Sequence, residues 1–261
     1  MIDVSLEVIL LLALAGLIAG FVDSIAGGGG LITVPALLLA GIGPVEALGT
    51  NKLQALFGSG IATFEYARNG HVDPRQQIGA AGLAFVGSAI GAMLASIAPG
   101  EILRALLPIL LIAIAVYFAL KPKLDDVDRF ERLGSIAFLV SIPPIIGFYD
   151  GLFGPGTGSF FMLAFVGLAG FGILKATAHT KLLNFASNVG AFAVFVLVGA
   201  VAWKIGLVMG VAQLAGARLG SAVVMRNGAR IIKPMLIIVS GALAIRLLLD
   251  PENPIRIWLG V

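Results

Sequence analysis

Long apolar runs organise this chain. They cover roughly residues 6–26, 28–42, 47–66, 77–98 and 102–120, then 133–152, 156–173, 176–200, 205–225 and 231–249. A helix needs ~20 apolar residues to cross hydrocarbon, and most of these runs approach that length. The pattern predicts an all-α polytopic membrane protein. Two runs, 28–42 and 156–173, are short for a span, and each follows a glycine-rich break: "DSIAGGGGLITVP" from Asp23 and "GPGTGSFF" from Gly154. Glycine costs about 1 kcal/mol against alanine inside a helix, so both breaks read as deliberate interruptions.

The polar linker "KPKLDDVDRFER", Lys121 to Arg132, divides the chain almost in half, and the halves resemble each other. "GFVDSIAGGGG" from Gly20 matches "GFYDGLFGPGTG" from Gly147, and "ALGTNKLQ" from Ala47 matches "ATAHTKLLN" from Ala176. "GSAIG" from Gly87 matches "GARLG" from Gly216, and "RALLP" ending at Pro108 matches "RIIKP" ending at Pro234. Asp23 thereby corresponds to Asp150, and Lys52 to Lys181. Four blocks in the same order indicate an internal duplication, the pattern of a transporter-type fold.

Basic residues decide the orientation of the repeats. If each break is a re-entrant hairpin or two passes, the second half is inverted. With the N-terminus outside, Arg68, Arg75, Lys121, Lys123, Arg129, Arg132, Lys175, Arg226, Arg230 and Lys233 then lie on the cytoplasmic side, and only Arg104, Lys204 and Arg256 lie outside. Parallel repeats divide these charges less cleanly. The expectation is two inverted-topology repeats, 1–120 and 133–261, joined by the cytoplasmic linker 121–132, each with a Gly-broken hairpin and three spans.

Composition agrees. Of 261 residues, 59% are apolar and 12% charged, against about 25% charged in soluble domains; mean hydropathy is +1.06. The absence of cysteine excludes disulfides and thiolate metal sites, and two histidines make a dedicated metal site unexpected. No cofactor is expected. The first residues carry Asp3 and no Lys or Arg, so a cleaved signal peptide is not expected. "GPGTGS" lacks the GK[ST] ending of a phosphate loop and no strand precedes it, which excludes nucleotide binding; no nucleic-acid partner is expected.

Irregular backbone at membrane depth must face protein or a wet cavity. The N-terminus of a half-helix presents free N–H groups to an anion, and glycine admits close approach. The candidate anion site therefore comprises Gly27, Gly28, Gly29, Gly30, Gly154, Gly156, Thr157 and Gly158, with Asn51, Lys52, Thr180, Lys181 and Asn184 from the segments that follow. Close helix packing through small residues is the competing reading of the glycines. Intramembrane ionisable residues are functional suspects. Asp23, Asp150, His179 and Arg218 are candidates for coupling or charge pairing, Arg218 with Asp23 or Asp150 as its expected partner. For the lysines, snorkelling to the headgroups is the alternative. Glu65 is expected at the interface near Arg68, outside the site.

The paired motifs, from Gly20 to Gln54 and from Gly147 to Asn184, resemble the TauE/SafE-type sulfite exporter family, over about Leu6 to Leu249. The resemblance implies a multi-pass protein of the bacterial or archaeal plasma membrane that moves sulfite, sulfoacetate or related anions. It also implies about eight spans, which six full spans and two re-entrant hairpins would satisfy. The function read from the chain is a secondary transporter, an exporter of small sulfur-containing or organic anions, and not an enzyme. An anion channel of the same architecture, or an intramembrane enzyme using the Asp23 and Asp150 pair, are the alternatives. The GxxxG pairs either drive a homodimer or pack the two halves together.

Overall fold

The computed structural model describes residues 5–98 and 133–227, all of whose regular elements are helices. The expected segments 102–120 and 231–249 and the linker 121–132 lie outside the described residues. The first half contains α1 (Leu6–Ala26), α2 (Gly30–Leu39), α3 (Pro44–Arg68) and α4 (Ile78–Ile97). The second contains α5 (Ser135–Leu152), α6 (Thr157–Gly167), α7 (Ile173–Leu197) and α8 (Trp203–Asn227). Both run long, short, long, long, as the duplicated motifs predict. Five of the eight are long and apolar enough to cross a membrane: α1, α4, α5, α7 and α8.

Local chemistry sets the boundaries. Ser5 caps α1 by accepting a hydrogen bond from the Val8 N–H, and Glu7 in the first turn complements the helix dipole. The helix stops at Gly27, whose φ of +77° is the left-handed conformation that glycine adopts without a Cβ penalty. Gly156, at φ +85°, turns the chain into α6 in the same way. Pro44 opens α3 at the position where a missing N–H costs nothing.

Both short helices fold back along the long helix before them. Leu37, near the end of α2, and Ile42, just beyond it, cluster with Val8 and Leu12 near the start of α1. Phe165 of α6 packs on Phe138 near the start of α5, with ring centres 5.1 Å apart, and Leu133 donates to the Leu168 carbonyl. Each glycine break is therefore the tip of a hairpin.

The halves interlock. α1 packs on α8 and α5 on α4, while α3 and α7 meet at the centre. Glycines let the backbones touch. A Cβ on Gly87 would collide with Pro144 and one on Gly91 with Phe148; on the other side Gly216 meets Leu17 and Gly220 meets Phe21. Leu17 and Phe21 stand in the same repeat register as Pro144 and Phe148, so the contacts between the halves are reciprocal. Ascending numbers meet ascending numbers, so α1 runs parallel to α8 and α4 parallel to α5. The GxxxG glycines of α4 and α8 are thus used within the chain, joining one half to the other.

Polarity is arranged inside-out. α1, α4, α5 and α8 expose Leu10, Leu14, Ile90, Val140 and Val211, an apolar face suited to lipid. α3 instead buries every residue from Ala47 to Gln54, a stretch containing Thr50, Asn51 and Lys52. α7 likewise buries Ala176 to Asn184. The polar segments of the two repeats face each other in the protein interior.

Candidate functional site

Where the hairpin tips meet, Ser159 joins the two halves by hydrogen bonds. The Ser159 N–H donates to the Gly27 carbonyl at 3.1 Å, and its hydroxyl reaches the Ala26 carbonyl at 2.8 Å. A Cβ on Gly158 would stand 2.7 Å from the Gly27 Cα, so this approach needs glycine on both tips. Beside the contact lies a cavity of about 20 Å³, room for roughly one water-sized sphere. Asp23, Asn51, Lys52, Asp150, Asn184 and Gln213 line its wall, with Asn188, Thr157, Ala55 and the glycines Gly27, Gly30, Gly154, Gly156 and Gly158. Gly30 and Gly158 lie in the first turns of α2 and α6, where N–H groups lack intrahelical acceptors.

The charges cross between repeats. Lys52 Nζ of α3 stands 2.6 Å from Asp150 Oδ1 of α5. Lys181 Nζ of α7 stands 3.2 Å from Asp23 Oδ2 of α1 and also donates to the Asp23 carbonyl. All four side chains are buried. An isolated charge in this setting would cost many kcal/mol, and pairing offsets that. The set Asp23, Asp150, Lys52 and Lys181 sums to zero when ionised.

Lys52 also orients a row of amides. Ammonium only donates, so the 3.2 Å contact from Lys52 Nζ fixes the Asn188 oxygen toward it. The Asn188 NH₂ then donates to Asn184 Oδ1 at 3.4 Å, which leaves the Asn184 NH₂ as a donor for the cavity that Asn184 lines. Asn51 Oδ1 accepts from Thr33 at 2.6 Å and Gln54 at 3.0 Å. Gly154, at φ +86°, leaves room for Lys52 Nζ, which a Cβ there would approach to 3.2 Å.

Several expected residues lie elsewhere. Lys181 is buried at Asp23 and is absent from the cavity wall, so the lysine that faces the cavity is Lys52. Thr180 is buried with its hydroxyl unpartnered, also off the wall. Gly28 and Gly29 turn the chain behind it, the Gly29 N–H donating to Asp23 Oδ1 at 3.2 Å. His179 lies outside the site: its Nδ1 is 2.8 Å from the Lys175 carbonyl, and its ring packs against Phe165 and Phe171. Arg218 pairs with neither aspartate. Its side chain is 69% exposed and lies 3.8 Å from Glu65, so the helix phase of α8 turns it outward while Gln213 faces in. Glu65 accordingly has Arg218 as its partner.

Asn188, Gln213 and Ser187 belong to this neighbourhood without standing among the expected site residues. Asn188 follows Asn184 by four residues, the spacing that puts both on one helix face. Gln213 and Ser221 are the polar side chains that α8 buries, and Gln213 is the one on the cavity wall. Ser187 had no such signal.

The family profile described as "Sulfite exporter TauE/SafE" matches residues 12–247. The chain belongs to the TauE/SafE sulfite exporter family. It is 61% identical over 258 residues to "Probable membrane transporter protein ORF9" of Sinorhizobium sp, covering 99% of each chain. It is 48% identical over 246 residues to "Probable membrane transporter protein YfcA" of Escherichia coli K12, covering 94% of this chain and 91% of the relative. A Haemophilus influenzae "Probable membrane transporter protein" is 44% identical over 248 residues, covering 95% and 97%. No solved structure matches the chain. This TauE/SafE protein is thus a multi-pass membrane protein from a family of transporters.

Proposed function

We propose that this TauE/SafE protein is a secondary transporter that exports small sulfur-containing or organic anions, with sulfite and sulfoacetate as representatives. The cavity between the hairpin tips is the proposed site. The observation that carries this reading is the donor character of its wall. Lys52 has spent two of its three N–H donors on Asp150 and Asn188. Its third, the Asn184 NH₂ and the first-turn N–H groups of Gly30 and Gly158 are what remain for a ligand, and they suit an oxyanion. Both carboxylates on the wall are already neutralised by lysines.

The cavity is small and lies where the two hairpin tips touch. A site closed in by two elements that can separate suits a transporter that changes shape better than a standing channel. The two repeats are proposed to be inverted in the membrane. The parallel pairing of α4 with α5, together with hairpins that return to the starts of α1 and α5, supports that arrangement. A structure of this kind opens to either side by rocking about a central site.

Sealed proteoliposomes preloaded with unlabelled sulfite should take up labelled sulfite by exchange. Lys52→Met, checked for folding by its thermal transition, should lose at least about tenfold of that rate, the loss of one charged hydrogen bond of about 1.5 kcal/mol or more. Exchange at the wild-type rate in Lys52→Met would remove this site from the transport path. Inert wild-type protein with both sulfite and sulfoacetate would remove the proposed anions.

A further inference from the structure

Asp23 and Asp150 occupy equivalent places in the two repeats, and their surroundings are unequal. Three side chains stand close to the Asp150 carboxylate: Lys52 at 2.6 Å and Thr157 at 2.7 Å from Oδ1, and Ser187 at 2.7 Å from Oδ2, the two hydroxyls also lying 2.6 Å from the Gly154 carbonyl and 3.0 Å from the Asn184 carbonyl. The Asp23 carboxylate accepts from the Gly29 N–H and from Lys181, each at 3.2 Å. The register that pairs Asp23 with Asp150 pairs Gly30 with Thr157. The register that pairs Lys52 with Lys181 pairs Gly58 with Ser187. Both hydroxyls that hold Asp150 are therefore glycines in the other half. The space at Gly58 is occupied by the Gln213 side chain, whose amide nitrogen lies 2.8 Å from where a Cβ would sit. Gln213 is buried, lines the same cavity as Asp23, and its Oε1 has no donor.

We infer that Asp23 is the carboxylate that takes up and releases the proton of the transport cycle, and that Asp150 with Lys52 is a fixed pair. The inference deepens the proposed transport reading and rests on it. The cluster of Asp23, Asp150 and Lys52 on the cavity wall and Lys181, bonded to Asp23 off the wall, sums to zero. A monoanion entering would leave it at −1, a costly state in a low-dielectric interior. One proton bound to an Asp23 oxygen restores zero. An O–H bond forms on entry and the same bond gives up its proton on exit, so the step needs no other reactant. Anion and proton then favour each other's binding by the same factor.

Asp23 suits this role because its carboxylate has two contacts, both at 3.2 Å, whereas three polar side chains crowd Asp150 within 2.7 Å. The Gln213 Oε1 supplies an acceptor in the same cavity for the new O–H. A metal cation is a poor alternative occupant, since the Lys52 ammonium on the cavity wall repels it. The titratable groups facing Asp23 are Lys181 from α7, Lys52 from α3 and Asp150 across the cavity from α5. Tyr66 of α3 adds its hydroxyl, which donates to the Ser24 carbonyl at 3.1 Å. α2 and α6 carry no titratable side chain, and on α8 Arg218 is turned outward to Glu65.

Infrared difference spectroscopy on the full chain in lipid tests this without any substrate. Acidifying the bath should produce the carbonyl band of a protonated buried carboxyl in the wild type. Asp23→Asn should remove the band and Asp150→Asn should keep it. Should Asp150→Asn fail to fold, Gly58→Ser serves in its place. Its nearest neighbours are atoms of the flexible Gln213 side chain, it puts a hydroxyl at the register position of Ser187, and it should weaken the band severalfold at equal pH. A band that survives Asp23→Asn, a wild type without one, or a Gly58→Ser band of full strength would each overturn the inference. Absent sulfite exchange with the band intact overturns the choice of anion alone.

Discussion

Lys52 reaches across the molecule to Asp150 at 2.6 Å, bonding to the other repeat's carboxylate and not to its own. Lys181 does the same in reverse with Asp23. These crossed pairs tie α3 to α5 and α7 to α1, so the charges that suit the cavity to an anion also hold the halves together.

The first prediction follows from that double role. Asp150→Asn leaves the Lys52 charge buried and uncompensated, and should cost about 3–5 kcal/mol. Removing both charges, with Lys52→Met and Asp150→Asn together, should recover a large part of that loss. Thermal unfolding of the detergent-solubilised protein, run as a double-mutant cycle, reads the coupling. Additive losses would mean that the two groups do not depend on each other.

A second prediction separates glycines that pack from glycines that merely occur. Gly87→Ala places a Cβ against the Pro144 backbone, with Pro144 Cα at 2.9 Å, and should destabilise by about 1–3 kcal/mol. Gly216→Ala, its counterpart against Leu17, should behave alike. Gly82 lies on the same helix as Gly87 with nothing within 4 Å of its Cβ position. Gly82→Ala should be neutral or gain about 0.5–1 kcal/mol from helix propensity. Thermal midpoints of the three variants decide it, and equal losses at Gly82 and Gly87 would contradict the interlocked packing.

Much of this arrangement was legible in the sequence, for a physical reason. Membrane helices announce themselves by length and apolarity, and a glycine run is visible wherever it interrupts one. The repeat register placed Asp23 beside Asp150 in role, and Lys52 beside Lys181. It could not say which lysine meets which aspartate, because equivalence within a duplication does not fix the contacts between its halves. Arg218 misled for a related reason. It stands deep in an apolar segment, yet a side chain's facing depends on helix phase, and phase on α8 is set by packing against Leu17 and Phe21. His179 misled through its polar neighbours: Thr180 and Lys181 point into the protein core, while the imidazole one step earlier joins Phe165 and Phe171.

That relocation of Arg218 is itself testable. An exposed ion pair at 3.8 Å contributes about 0–1 kcal/mol. Arg218→Ala should keep sulfite exchange within about twofold of wild type, and its thermal midpoint should barely move. A tenfold loss of exchange would return Arg218 to the transport path.

The last prediction concerns the direction in which the cavity amides point. Lys52 holds the Asn188 oxygen, and Asn188 holds the Asn184 oxygen, so Asn184 is left presenting hydrogens. Asn184→Asp has nearly the same shape and replaces that donor with a negative charge on the wall. It should depress sulfite exchange far more than Asn184→Ala, which only removes the donor. One lost hydrogen bond to a charged ligand is worth about 1.5–3 kcal/mol, roughly a tenfold to hundredfold loss. The added carboxylate should take Asn184→Asp beyond that, since it repels the anion and competes for Lys52. Exchange rates for the two variants, measured in the same liposome preparation, give the answer. If Asn184→Asp exchanged sulfite as fast as Asn184→Ala, residue 184 would not face the anion, and the donor row from Lys52 would serve only to brace α7.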